Sequence, residues 1–242
     1  MSTAMLAAAS GMAAQQVNLD TIAENLANAD VAGFKESSAT FAEVLSPGEA
    51  GLGTAQTGTQ VAFAQGKLER SGGAFDVAID GPGFLVVTDG NGRRAYTRDG
   101  SFARAVDGTL RNAQGWRLQG VRIPEDATGV DVGARGNVVA QTPRGPQTLG
   151  QLRLAEFASP AGLRRLGGAM FQATPACGAM RLLVPGDDGG PAIRFGMLEK
   201  SNVSIVQSMM QILSAQRAYE ANAKGVQAAD EMLRIADNLS RG

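Results

Sequence analysis

Apolar side chains recur with one period at the two ends of the chain and with another between them. Over residues 3–28 they fall at Met5, Ala9, Met12, Leu19, Ala23 and Leu26, with Gln16 completing an alternating spacing of four and three residues. That spacing predicts a helix with a coiled-coil-like seam. Leu6, Ala13 and Ile22 widen the stripe, and the segment holds no Pro and a single Gly, Gly11. Residues 201–239 repeat the pattern at Ile205, Met209, Ile212, Gln216, Tyr219, Ala223, Val226 and Leu233, interrupted by Asp230. A helix of that length would run to roughly 60 Å. Neither stripe has much within its own segment to bury it. The two helices are therefore expected to pair with one another or with further subunits, and to order fully only on assembly. Met5, Met12, Leu19, Leu26, Met209, Ile212, Tyr219 and Val226 are the positions expected to carry that packing.

The middle of the chain is short-period and punctuated. Runs at Phe84–Thr88, Arg94–Thr97, 101–106, 109–112 and 116–121 are separated by Asp89-Gly90-Asn91-Gly92, Asp99-Gly100, Asp107-Gly108 and Gln114-Gly115. Such spacers supply the positive-φ residues of tight turns and predict an antiparallel meander. Further strands are expected at Gly129–Val132, 137–140 and 151–157, whereas 46–60 and 185–191 read as loops or linkers. The class is α+β. Long terminal helices pair in a coiled-coil-like domain (residues 1–34 with 200–242), followed by an extended linker (35–72) and an inserted antiparallel β-rich domain (73–199).

Composition narrows the chemistry. The 242 residues include no His and one Cys, Cys177, which excludes Ser-His-Asp and Cys-His nucleophiles, imidazole or thiolate zinc sites and an intrachain disulfide. A net charge of −1 without basic runs gives no footprint for nucleic acid. No apolar run approaches the ~20 residues that span a bilayer. The Ala-rich start lacks a preceding Lys or Arg, since the first basic residue is Lys35, so a cleaved signal peptide is not expected.

Four stretches carry a resemblance. The run Glu24-Asn25-Leu26-Ala27-Asn28-Ala29-Asp30-Val31-Ala32-Gly33-Phe34-Lys35 resembles the N-terminal signature of the bacterial flagellar rod and hook proteins, departing from it at Val31, where Thr is usual. Gly196-Met197-Leu198-Glu199-Lys200-Ser201-Asn202-Val203 with Gln216-Arg217-Ala218-Tyr219-Glu220-Ala221-Asn222-Ala223-Lys224 is similar to the family's C-terminal signature. Phe75 to Phe84 and Tyr96-Thr97-Arg98-Asp99-Gly100-Ser101-Phe102 are similar to its central segment. The resemblance implies a structural subunit of the basal-body rod, with the distal-rod type ahead of the proximal. It further implies self-assembly into a helical tube that passes motor torque to the hook, contacts with other rod and hook proteins, and export by the flagellar type III apparatus without a cleaved signal. No cofactor, metal, nucleic acid or small-molecule substrate is expected.

Local chemistry gives each motif a plainer role beside the implied one. Asn25 and Asn28 suit a helix end, and Gly33 suits a left-handed residue that stops it. Ser201 or Asn202 is a candidate N-cap, and Arg217 with Glu220 a candidate helix-surface pair. Arg93-Arg94 with Arg98, and Arg164-Arg165, read as solvated turns. The competing classes are a cell-envelope hydrolase using paired carboxylates, with Asp187-Asp188 or Asp76 and Asp80 as candidates, and a binding module built on the β-rich domain.

Overall fold

The computed structural model describes residues 3–44, 53–186 and 189–240, so Asp187-Asp188 and the 46–52 part of the expected 46–60 loop lie outside them. The chain divides into two compact units. One comprises Met1–Ala27, Glu36–Ala62 and Val203–Gly242, and the other Asn28–Lys35 and Phe63–Asn202.

The first unit holds the two α-helices found among the described residues, α1 (Thr3–Ala27) and α2 (Ile205–Ser240), with a two-stranded antiparallel ribbon of Ser37–Glu43 and Thr54–Val61. The coiled-coil-like pairing expected of the helices is corrected. Along α2 the residues buried at seven-residue spacing are Ser208 and Ala215, one position before the expected seam, while Met209 and Tyr219 are exposed. A cavity of about 290 Å³ where α1 and α2 approach is lined largely by polar side chains, Gln15, Asn18, Thr21, Gln211 and Ser214 among them, together with Ile22, Ala215 and Ala218. Gly11 lies against Asn222, so close that a Cβ would sit 2.9 Å from the amide nitrogen. Small and polar side chains therefore line much of the contact where interlocking apolar knobs were expected. The cap of α2 is also corrected: Ser204 Oγ, and not Ser201 or Asn202, accepts the Gln207 N–H at 3.4 Å.

Residues 54–61, read from sequence as part of a loop or linker, form a strand. Its side chains stand mostly exposed on both faces, so it shows no apolar alternation.

Every strand pair of the second unit is antiparallel, and two short 3-10 turns, Pro160–Gly162 and Pro175–Cys177, interrupt the strands. Its largest sheet has nine strands, and Phe84–Thr88 lies inside it, paired with Arg94–Thr97, Arg117–Arg122 and Leu154–Phe157. The expected meander is thus rearranged, because Arg117–Arg122 returns to pair with Phe84–Thr88. The strand is buried on both faces. Leu85 and Val87 enter the main apolar core with Val77, Ile79, Leu118 and Leu154. Phe84, on the other face, meets Phe63, Phe157 and Phe171 edge-on. Each such fully buried side chain is worth about 1.5–3 kcal/mol. Smaller pairs complete the unit: Val77–Asp80 with Ala192–Phe195, and Leu68–Arg70 with Met197–Glu199.

Candidate functional site

The pair of strands Leu68–Arg70 and Met197–Glu199 ends at a buried ionic junction. Gly33, with φ +66°, turns the chain so that its N–H donates to the Glu199 carbonyl at 2.7 Å. A Cβ at that position would lie 2.3 Å from the Arg98 carbonyl carbon, so only glycine fits. Phe34 follows as an apolar anchor, fully buried, with the Arg165 guanidinium 4.5 Å from its ring centroid. Lys35 comes next, with no exposed surface.

At this junction the Glu199 carboxylate, itself fully buried, takes both oxygens into pairing. Its Oε1 accepts from Lys35 Nζ at 2.5 Å and from the Gly66 N–H at 2.8 Å, and its Oε2 accepts from Arg98 Nη1 at 3.1 Å. The cations are satisfied in turn: Lys35 Nζ also donates to the Ala64 carbonyl at 2.7 Å and Arg98 Nη2 to the Gly81 carbonyl at 2.7 Å. Asn202 Nδ2 donates to the same Ala64 carbonyl. Burial lowers the Lys35 pKa and that of Arg98, opposed in both by Glu199. Two cations around one anion leave an excess positive charge away from water, so the desolvation cost offsets much of what the pairing contributes to stability. Arg98, expected in a solvated turn, is instead buried at the centre.

The other motif residues are placed as follows. Asn25 is buried in the first unit, where its amide donates to the Ser37 carbonyl at 2.7 Å and accepts from the Ser37 N–H at 2.9 Å. It braces the root of the ribbon from α1, a role that its position near a helix end did not disclose. Leu26 is half-buried, Ala27 exposed and Asn28 half-buried at the turn, where its carbonyl accepts the Val31 N–H. Leu198, Ser201 and Val203 are half-buried, as is Ala218, while Gln216, Arg217 and Glu220 are exposed. No ion pair joins Arg217 to Glu220 among the described residues. Of the expected packing positions, Met5, Met12, Leu19, Ile212 and Val226 are half-buried, and Met209 and Tyr219 exposed. Sequence reading missed Val206, Met210 and Leu213, which are exposed on α2 at four- and three-residue spacing, a second row beside the expected one. The candidate carboxylates of a hydrolase are occupied otherwise: Asp80 pairs with Arg194 at 2.8 Å and Asp76 accepts from Ser71 at 2.5 Å.

Three family models match the chain: "Flagella basal body rod protein" over residues 5–35, "Flagellar hook protein FlgE/F/G D1 domain" over 78–140, and "Flagellar basal body rod FlgEFG protein C-terminal" over 195–239. Lys35, Arg98 and Glu199 come one from each. The chain is 38% identical to the flagellar basal-body rod protein FlgG of Borreliella burgdorferi, covering 100% of both. It is 35% identical to the protein of that name from Agrobacterium fabrum, over 96% of this chain and 97% of the relative. With the one from Bacillus subtilis it shares 31% over 96% and 97%.

Proposed function

On the premise that the chain belongs to the family of flagellar basal-body rod proteins and is a structural rod subunit of the distal type, we propose that it self-assembles into a helical tube through the surfaces of α1 and α2 and transmits motor torque to the hook by subunit packing. The observation that carries this reading is the apolar surface of α2. Val206, Met209, Met210 and Leu213 are 69%, 52%, 60% and 57% exposed over little more than two turns. A surface of that kind is costly in water and gains its burial from another chain. Non-closing contacts between unlike surfaces build helical polymers. In the same reading the chain reaches the periplasmic rod through the flagellar type III apparatus with its N-terminal segment retained, and meets other rod and hook proteins there. Its work is done by packing and not by catalysis.

Labelling of the chain in purified basal bodies tests this, with label expected along the distal rod. Leu26→Asp is expected to abolish assembly and swimming while leaving the β-rich unit folded. Absence of label from the rod, or motile cells carrying that substitution, would overturn the reading.

A further inference from the structure

The nine-stranded sheet brings Arg93 and Arg94 close to Arg164, which is far from them in sequence. Arg93 and Arg94, Trp116, Leu166, Met170 and Gln172 line one cavity of about 260 Å³. Its lining combines two basic side chains with three apolar ones. Arg164 stands beside it, donating to Gln172 Oε1 at 2.6 Å. Asp89 is spoken for: it holds Arg93 Nε at 2.6 Å and caps its own turn by accepting from the Asn91 and Arg93 N–H groups. Arg94 is exposed and has no carboxylate partner among the described residues.

Trp116 opens the strand Arg117–Arg122, and the opposite end of that strand runs into Pro124-Glu125-Asp126-Ala127. Glu125 and Asp126 are both exposed and form no ion pair among the described residues. A recess lined by arginines and a tryptophan thus sits at one end of a strand and an unpaired acidic loop at the other. Trp, Arg and Met are the residue types enriched where protein partners meet, which favours a protein occupant over a free anion.

We propose that the acidic loop of one copy of this chain seats in the arginine–tryptophan recess of the next. Glu125 and Asp126 meet Arg94 and its neighbours, and the Trp116 ring is covered. The contact joins unlike surfaces, so it repeats head to tail and does not close on itself. It rests on the self-assembly proposed above and adds to it a contact between β-rich units that the helices do not provide.

The experiment measures self-association of the purified full-length chain by sedimentation while following the emission of Trp116, the only tryptophan in the sequence. For the wild type, association is expected to shift the emission to shorter wavelength and to weaken with salt. Arg94→Glu alone, and Glu125→Arg with Asp126→Arg, are each expected to weaken association by about tenfold or more, and the combined charge swap to restore it. Circular dichroism and thermal melts of each variant confirm that the surface changes leave the fold intact. Variants that associate like the wild type overturn the proposal, as does a combined swap that fails to restore association. A wild-type chain whose Trp116 emission does not change on association overturns it too. None of these results touches the rod assignment, whose failure appears instead as absence of the labelled chain from basal bodies.

Discussion

Lys35 and Glu199 stand 164 positions apart in the chain and 2.5 Å apart in space, both without exposed surface. That pair, with Arg98, ties the end of the N-terminal motif to the strand that leads towards α2. The two connections leaving the β-rich unit are thereby held at a fixed spacing by charge-assisted bonds.

Removing the anion is therefore expected to be the most damaging single change at the junction. Glu199→Gln leaves Lys35 and Arg98 buried without a counter-charge and should cost about 3–5 kcal/mol. Lys35→Met leaves the Arg98–Glu199 pair in place and should cost clearly less. Urea unfolding of the full chain, followed by near-UV circular dichroism, orders the two.

Gly33→Ala should be disproportionately harmful for the addition of a single methyl group. The residue sits at φ +66°, and its Cβ would lie 2.3 Å from backbone of Arg98. A left-handed alanine costs about 1–2 kcal/mol before any clash, so a total above that is expected in the same unfolding assay. Gly225→Ala, in α2 with open space around it, should be neutral or stabilising and provides the control.

Asn25→Ala removes both of the bonds that hold Ser37, leaving that residue's buried N–H and carbonyl without the side chain that met them. A cost of about 1–3 kcal/mol is expected. Hydrogen exchange should show it as lost protection in the ribbon Ser37–Glu43 and Thr54–Val61, with the β-rich unit unchanged.

The acid side of the stability profile should carry a signature of Asp99. Burial raises its pKa, opposed by bonds from Ser101, and the nearby Asp76 raises it further. A folded-state pKa above the unfolded value means that the folded chain holds the proton more tightly. Its contribution is full below 3.8 and is lost as the pH rises through the folded value. Asp99→Asn keeps an oxygen to accept the Ser101 bonds and removes the charge. It should be more stable than the wild type at neutral pH, with the advantage shrinking as the pH falls, in paired melts across the carboxylate range.

How much of this could be read in the sequence depended on how local the cause was. The turn at Asp89-Gly90-Asn91-Gly92 was legible because its own Asp89 caps it. Gly33 was legible as a left-handed stop, although its reason for being glycine, the backbone of Arg98, was not. Arg98 looked solvated because nothing near it in sequence indicates burial, and its partner lies 101 residues away. In α2 the expected coiled-coil seam against α1 is not what the fold shows, because the residues buried there lie one position before the apolar ones. A single sequence does not record which stripe meets its own chain, and here Ser208 and Ala215 do so while Met209 stays outside.

The junction also orders events in time. Synthesis runs from the N terminus, so Lys35 is made long before Glu199 exists to neutralise it, and the closure of so long a loop is slow compared with forming a hairpin. Strands such as Phe84–Thr88 and Arg94–Thr97 pair locally, but the β-rich unit cannot bury Lys35 and Arg98 favourably until nearly the whole chain is present. Until Glu199 is present, the desolvation cost of Lys35 and Arg98 favours keeping both in water.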